Sequence, residues 1–219
     1  MICITTIDFP DTALRAILDA VEVSIYVLEI LARERVAELR AAAARRHAAR
    51  APAALPVLAI RRATADDNAG IAAIWNHEAQ CTIATTETEP RTLAAQSAWL
   101  ARHGEPHPVI VATSGGEGIV GFGALSPYRP TLCAAVEDSV YVRRDRRGHG
   151  VGAALLGQLL DLARARAYRT VLARITAENA ASLRLHARHG FRVVGVERQV
   201  AFKLGRWHDV VILQRLWRR

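Results

Sequence analysis

The apolar residues after residue 57 follow two spacings. Alternation is typical of half-buried strands, and recurrence at every third or fourth position is typical of amphipathic helices. Thr64 and Asp66 form a helix start that leads into Ile71 and Trp75. The pattern predicts strands at 57–62, 109–113, 119–125, 136–142, 170–175, 193–200 and 210–216, and helices from Thr64 through Trp75, at 151–167 and at 179–189.

The order of these elements predicts one α/β (α+β) domain built around a mixed central sheet. Residues 114–118, rich in glycine, separate two apolar runs by the length of a short hairpin loop, so the N-terminal half is expected to be antiparallel. The C-terminal half alternates strand and helix in the order β-α-β-α-β, which predicts a parallel connection there.

Residues 1–56 differ in pattern from the rest of the chain. An apolar stripe from Leu14 to Leu39 predicts a long amphipathic helix, and the following Ala- and Arg-rich stretch ends at Pro56 like a linker. We therefore divide the chain into an N-terminal helical extension, 1–56, and a main domain, 57–219. The stripe is compatible with a coiled-coil seam, with a helix docked on the main domain, or with an upstream stretch read from a misassigned start codon.

Composition narrows the class of protein. No apolar run reaches the roughly 18 residues that cross a bilayer, and the N-terminus lacks the layout of a secretory signal, so a cytoplasmic protein without membrane contact is expected. The three cysteines, Cys3, Cys81 and Cys133, lack metal-ligand spacing. We expect reduced thiols and no metal.

The net charge of +8 lies in the C-terminal third, where residues 143–219 carry seventeen basic and five acidic residues. Such a segment suits nucleic acid, an acidic membrane surface or a phosphorylated small ligand, and charge alone does not choose among them. Few aromatic residues accompany the arginines and no recognition motif is present, so a nucleic-acid-binding module is the distant alternative and no nucleic acid is expected as a partner.

A glycine-rich loop lies between a predicted strand and a predicted helix. Glycines let the backbone turn tightly, and the unpaired N–H groups of the helix start attract an anion such as a pyrophosphate. The spacing fits a dinucleotide fingerprint poorly, because five polar residues separate the strand from its first glycine. Arg147, Gly150 and Gly152 also fit an Arg-x-x-Gly-x-Gly pattern. The candidate binding residues are Arg147, Gly148, His149, Gly150, Val151 and Gly152.

The rest of the C-terminal half decides between these cofactors. The loop is followed by residues 178–183, Glu-Asn-Ala-Ala-Ser-Leu, and then by His186, Gly190 and Phe191. With these motifs the chain resembles the GNAT superfamily of N-acetyltransferases. Further runs resemble its phosphinothricin and methionine sulfoximine acetyltransferase branch: Asn76-His77-Glu78, residues 88–92, 126–130 and 136–142, and residues 205–210.

The resemblance implies acetyl-CoA as co-substrate. It implies that backbone amides of the glycine-rich loop hold the pyrophosphate, and that the pantetheine arm enters a splay between two parallel strands beside Glu137. Asn179, with Ser182 in the same motif, is expected to contact the pantetheine, although Asn179 also fits the role of a helix N-cap. Relatives of this kind are commonly homodimers, so the resemblance implies a homodimer for this chain.

Acetyl transfer from a thioester to an amine needs a base, a stabilised oxyanion and a proton for the leaving thiolate. We assign the role of general base to Glu137. The alternative is that Glu137 is a partly buried glutamate paired with an arginine. The resemblance places the oxyanion near the backbone N–H groups of Val140 and Val142. It also makes His186 a second acid or base, since an imidazole titrates near neutrality.

The acceptor side departs from the branch. Thr86 stands where relatives have an aromatic residue, and their Tyr-Arg pair is missing near Leu132, which leaves Arg129 as a candidate anion contact. We expect a small-molecule amine substrate, amino-acid-like and of the phosphinothricin or methionine sulfoximine type. The alternative is the same chemistry on a protein or peptide amine.

Overall fold

The structure is a computed structural model that describes residues 27–29, 32, 58–129 and 134–217. Its strands are β1 (Leu58–Arg62), β2 (Val109–Ser114), β3 (Ile119–Pro127), β4 (Ala135–Val142), β5 (Thr170–Thr176), β6 (Arg192–Lys203) and β7 (Arg206–Leu216). Its helices are α1 (Asn68–Cys81), α2 (Leu93–Ala101), α3 (Val151–Ala165) and α4 (Ala180–Arg188), with 3-10 turns at Ala65–Asp67 and Arg144–Arg146.

The described strands form one mixed sheet in the order β1-β2-β3-β4-β5-β7-β6. Strands β1 to β4 are antiparallel neighbours, β4 and β5 are parallel, and β7 is antiparallel to both β5 and β6. The predicted mixed α/β fold is therefore confirmed. The position of β7 between β5 and β6 was not predicted, because sheet order depends on long-range pairing.

The parallel ladder between β4 and β5 is short. It joins only Ala135, Val136 and Glu137 to residues 170–172, although β4 continues to Val142 and β5 continues to Thr176. Beyond Glu137 the two strands therefore separate. This is the splay that the sequence analysis expected beside Glu137.

Two hydrophobic cores cover the two faces of the sheet. Alternation along β2 sends Ile110 toward the core that includes Leu155 and Leu159 of α3, and sends Val111 to the opposite core that includes Ile71 of α1. All five side chains are almost fully buried, and each stabilises the fold by about 1.5–3 kcal/mol relative to an exposed position. The helices on both faces hold β4 in the middle of the domain.

Local signals explain where the helices begin. The predicted start at Thr64 is a capping box, in which the Asp67 carboxylate accepts from the Thr64 backbone N–H at 2.7 Å. Helix α2 was missed by the sequence analysis. It is only nine residues long and buries only Gln96, so its apolar periodicity is weak, although Thr92 caps it by accepting from the Ala95 N–H at 3.1 Å.

The N-terminal extension lies mostly outside the described residues, as does the expected domain boundary at Pro56. Residues 27–29 and 32 are helical, and Val27 is buried in the same core as α3. The role of the extension stays a prediction.

Candidate active site

The glycine-rich loop joins β4 to α3 and lines a cavity of about 510 Å³. Gly148 and Gly150 have φ angles of 78° and 82°, in the left-handed region that other residues rarely adopt. No atom lies within 4 Å of a Cβ built at either position, so the backbone conformation is what requires glycine there. Intrahelical bonding begins with the Ala154 N–H on the Gly150 carbonyl, which leaves the N–H groups of 151–153 available to an anion.

The arginine side chains of this loop are paired within the protein. Arg146 is bound to Glu117, and Arg147 is bound to the buried carboxylate of Glu78 on α1. The guanidinium of Arg147 also donates to the Val142 carbonyl at 3.2 Å. Arg147 therefore docks the loop on α1, and the loop offers its backbone to a ligand.

The remaining loop residues lie at the surface or at the helix start. His149 is exposed, with Nδ1 2.9 Å from the Arg147 carbonyl, and Val151 is the buried first residue of α3. On the opposite side, α4 contributes Arg184 and Arg188 to the cavity lining. The cavity thus combines open helical N–H groups with cationic side chains, as a pyrophosphate-bearing coenzyme requires.

The backbone of β4 is oriented toward the splay at alternate residues. The Arg143 N–H donates to the Val120 carbonyl in β3, whereas the Ala134 carbonyl accepts from the β5 side. The N–H groups of even-numbered residues of β4 therefore face β5. The N–H groups of Val140 and Val142 therefore point into the gap where the ladder has ended. This is the orientation that an oxyanion donor needs.

Asn179 is the N-cap of α4, and its side-chain oxygen accepts from the Ser182 N–H at 3.2 Å. The amide nitrogen of Asn179 keeps two N–H donors for other partners. Asn179 and Ser182 both line the coenzyme-sized cavity and a smaller cavity of about 110 Å³ beside it. The cap and a ligand contact are therefore compatible.

Glu137 lines the smaller cavity and is half-buried. Within residues 58–129 and 134–217, no group donates a hydrogen bond to its carboxylate. Burial raises the pKa of Glu137 above its ordinary value, the Arg174 charge opposes that shift, and Asp138 and Glu197 add to it. A carboxylate with a raised pKa and no fixed donor is suited to accept a proton.

His186 lies on the other side of the same cavity in contact with Asp138. Its Nε2 is 3.0 Å from Asp138 Oδ2, and its Nδ1 is 2.8 Å from the Ser182 carbonyl. Burial favours a lower pKa for His186, but the Asp138 charge, the Asp138 hydrogen bond and the Ser182 carbonyl outweigh it and raise the pKa. The sequence analysis assigned no role to Asp138, although a second acidic residue beside Glu137 in a buried strand was an available signal.

Residues 84–86 line the smaller cavity, and they belong to a loop of residues 82–88 that we call the acceptor loop after its predicted role. Thr86 is exposed and lines the small cavity with Thr85. The loop is held from outside, because the Thr176 hydroxyl donates to the Ile83 carbonyl at 2.7 Å and buried Lys203 donates to the Thr85 and Glu87 carbonyls. Sequence analysis missed Lys203, since nothing in its local pattern indicates a contact more than a hundred residues away.

Arg129 is not brought to this cavity. It is exposed, its guanidinium lies 5.5 Å from the ring centre of Tyr128, and it does not line the cavity that holds Glu137. The relatives' Tyr-Arg pair is missing at residues 132–135, of which Leu132 and Cys133 lie outside the described residues. A substrate contact for Arg129 stays a prediction.

Two further observations concern ligands and membranes. In the described part of the chain, no three His, Cys, Asp or Glu side chains are grouped so that they could hold a metal ion. Among the same residues, no helix combines the length and the apolar character that a membrane crossing requires.

The profile of the acetyltransferase (GNAT) family matches residues 71–191. The chain belongs to the GNAT family. It is an acetyl-CoA-dependent N-acetyltransferase, with the glycine-rich loop, the splayed strands and Glu137 inside the matched region.

Within the GNAT family, the chain is similar to curated acetyltransferases whose substrates are named. The chain is 39% identical over 158 residues to the L-methionine sulfoximine/L-methionine sulfone acetyltransferase of Pseudomonas paraeruginosa, covering 71% of this chain and 92% of the relative. It is 37% identical over 161 residues to the phosphinothricin N-acetyltransferase of Streptomyces coelicolor, covering 71% and 94%.

A solved structure supports the same placement. The phosphinothricin acetyltransferase of Sinorhizobium meliloti, crystallised with acetyl-CoA, is 30% identical and superposes with a TM-score of 0.70, covering 73% of this chain and 88% of the neighbour. Acetyl-CoA is therefore the co-substrate of this GNAT enzyme.

Proposed function

We propose that the enzyme acetylates the α-amino group of a small amino-acid-like substrate of the phosphinothricin or methionine sulfoximine type. The observation that carries this proposal is the place of Glu137: it faces a small cavity that shares Asn179, Ser182 and Val140 with the coenzyme-sized cavity. A small amine in the first cavity lies beside an acetyl group delivered through the second. The names of the relatives support the amino-acid-like acceptor.

Acetyl-CoA supplies the activated acetyl group, and the chain supplies its placement. The unpaired N–H groups of Val151 and Gly152 suit the pyrophosphate, and the splay beyond Glu137 suits the pantetheine arm. The amide nitrogen of Asn179 is available to donate to that arm. Substitution of these sites is expected to weaken coenzyme binding more than catalysis.

Glu137 removes a proton from the substrate ammonium so that the neutral nitrogen attacks the thioester carbon. A positioned general base contributes roughly 10²–10⁴-fold in rate. The N–H groups of Val140 and Val142 stabilise the developing oxyanion, and the loss of one hydrogen-bond donor at such a site typically costs about 10²–10³-fold in kcat. This assignment uses only groups that face the splay or the small cavity.

We test the proposal by calorimetric titration with acetyl-CoA, followed by thiol-release assays with methionine sulfoximine, phosphinothricin and a peptide with a free α-amino group. Turnover of the first two with the wild type, and its loss in Glu137→Gln, supports the proposal. Glu89→Gln is the matched control, because Glu89 is exposed and outside both cavities. Coenzyme binding with turnover of the peptide alone would move the acceptor to a protein amine.

We also propose that the enzyme is a homodimer that covers the outer surface of β6 and β7. Phe202 and Trp207 are 55% and 58% exposed, and their ring centres lie 5.2 Å apart. Val200 and Leu204 extend the same apolar surface, and exposed apolar clusters of this kind mark interfaces. Light scattering coupled to size exclusion should give twice the mass of one chain. Trp207→Glu should give the monomer.

A further inference from the structure

An amino-acid acceptor brings two opposite charges into the small cavity. Its α-ammonium and its α-carboxylate are attached to one carbon, so the protein groups that receive them must lie side by side. The proposed function assigns the ammonium to Glu137. A carboxylate that enters a partly buried site needs a cationic partner, and a guanidinium offers it two parallel N–H donors. A cation beside Glu137 is therefore required.

Arg174 of β5 is the one lysine or arginine among the described residues that line the small cavity. His186 also lines it, but its Nε2 lies 3.0 Å from Asp138 and its Nδ1 lies 2.8 Å from the Ser182 carbonyl, so both ring nitrogens are engaged within the protein. Arg129, which the sequence analysis named as an anion contact, does not line this cavity. Arg174 is therefore the cation that the cavity offers to a substrate.

The sheet places Arg174 on the same face as Glu137. Glu137 pairs with Leu172 at the last position of the parallel ladder, and residues paired across two strands point to one face. Arg174 follows Leu172 by two residues, so it points to that face as well, just beyond the point where the strands separate. The two charges interact, because burial raises the pKa of Glu137 and the Arg174 charge opposes that rise. A base and a cation thus occupy neighbouring positions at the splay.

Glu197 of β6 holds the Arg174 side chain at one end. Its Oε2 accepts from Nη2 of Arg174, and a guanidinium carries five N–H groups, so the donors on Nη1 and Nε remain for a carboxylate. The side chains of Arg174 and Glu197 are 39% and 34% exposed, so a ligand is able to reach the guanidinium. A side chain that is already held by a partner loses less conformational freedom when it binds a ligand.

We propose that Arg174 binds the α-carboxylate of the acceptor and makes the enzyme select free amino acids over amines that lack a neighbouring carboxylate. The substrate then lies with its ammonium toward Glu137 and its carboxylate toward Arg174, so that each of its charges meets the opposite charge. The inference rests on the proposed function and narrows its substrate class. It gives the anion contact to Arg174 rather than to Arg129.

The decisive experiment compares methionine sulfoximine with its α-carboxamide in thiol-release assays of the wild type and of Arg174→Met. The carboxamide keeps the amine and the side chain but lacks the negative charge. The ratio of kcat/KM for the acid to kcat/KM for the amide should fall by about tenfold in the variant, which is the low end expected for a charge-assisted contact of a partly exposed guanidinium. The fall should come from a higher KM for the acid, because a contact made equally in the ground state and the transition state changes KM alone.

The ratio separates two effects of the same substitution. Removing the Arg174 charge also lets the pKa of Glu137 rise further, but that change acts on the deprotonation of both substrates and cancels in the ratio. Equal losses with the acid and the amide would overturn the inference, because Arg174 would then act on Glu137 and not on the substrate carboxylate. A wild type that releases no thiol with either substrate would instead refute the proposed function.

Two further variants complete the test. Arg192→Met is the matched control, because Arg192 is an exposed arginine of β6 outside both cavities, and it should leave the ratio unchanged. Arg174→Lys keeps the charge but loses the planar fork, so the ratio should fall by about threefold. If Arg174→Met does not fold, Arg174→Lys decides, and an unchanged ratio in that variant would contradict the inference.

Discussion

The ammonium of Lys203 lies 2.8 Å from the backbone carbonyl oxygen of Thr85, across 118 residues of sequence. Its other two N–H groups reach the carbonyls of Glu87 at 2.8 Å and Glu78 at 3.0 Å. Lys203 is the only lysine in the chain and is almost fully buried. Three donors on one compact ammonium match three carbonyls that converge on it, which the planar guanidinium of arginine does not do. The acceptor loop is thus fastened to the β6–β7 hairpin.

Replacing Lys203 by methionine should loosen the acceptor loop. The change leaves three carbonyls without their donor, and an unsatisfied buried group typically costs about 1–3 kcal/mol. We expect a KM for the amine raised by roughly tenfold, equivalent to about 1.4 kcal/mol, with little change in affinity for acetyl-CoA. Steady-state kinetics with each substrate varied in turn measures both, and Lys203→Arg should fall between wild type and Lys203→Met.

A chemical probe follows from the single lysine. An amine-reactive ester should modify Lys203 only when the acceptor loop opens, and mass spectrometry after digestion measures that rate. Saturating the enzyme with an amine that it acetylates should slow this modification of Lys203. Labelling as fast as in the unfolded chain would show that the contacts of Lys203 do not persist.

Gly150→Ala tests the conformation of the phosphate loop. Because Gly150 has φ 82° and nothing lies near its missing Cβ, alanine meets no clash but must adopt a left-handed conformation, which costs about 1–2 kcal/mol. We expect a several-fold rise in KM for acetyl-CoA. The matched control is Gly157→Ala inside α3, which is equally open and should raise the free energy of unfolding by about 0.4–1 kcal/mol.

The pH profile should report Glu137. Burial raises its pKa in the ligand-free enzyme, and a base is active only when deprotonated, so kcat/KM should rise with pH along a limb centred above the ordinary value of 4.5. In Glu137→Gln that limb should disappear. A limb that persists in the variant would assign the proton acceptor to another group.

The stability of the fold should depend on His186. Its pKa is raised in the folded state, so its contribution is complete below the ordinary value of 6.5 and is lost as pH rises through the folded pKa. The difference in Tm between the wild type and His186→Gln, measured by thermal unfolding, should therefore shrink as the pH rises over that range. His103, whose pKa burial lowers, should give the opposite slope in His103→Gln.

Part of the site was accessible from local patterns. The glycine-rich loop, the N-cap at Asn179 and the strand that carries Glu137 each depend on residues close in sequence, and the structure places all three around adjoining cavities. Thr86 lines the smaller cavity, and its contact with the amine stays a prediction. Arg129 was assigned from its residue type alone, and it is exposed and outside the cavity that Glu137 lines.

The sequence by itself determined the strands, most of the helices and the turn geometry, because alternation, helical spacing, capping and glycine act over a few residues. The tertiary structure decided which side chains meet. Asp138 reaches His186 across 48 residues and Lys203 reaches Thr85 across 118, and neither contact has a local signature. Each forms because the sheet brings distant strands together, and burial then requires every charge enclosed there to find a partner.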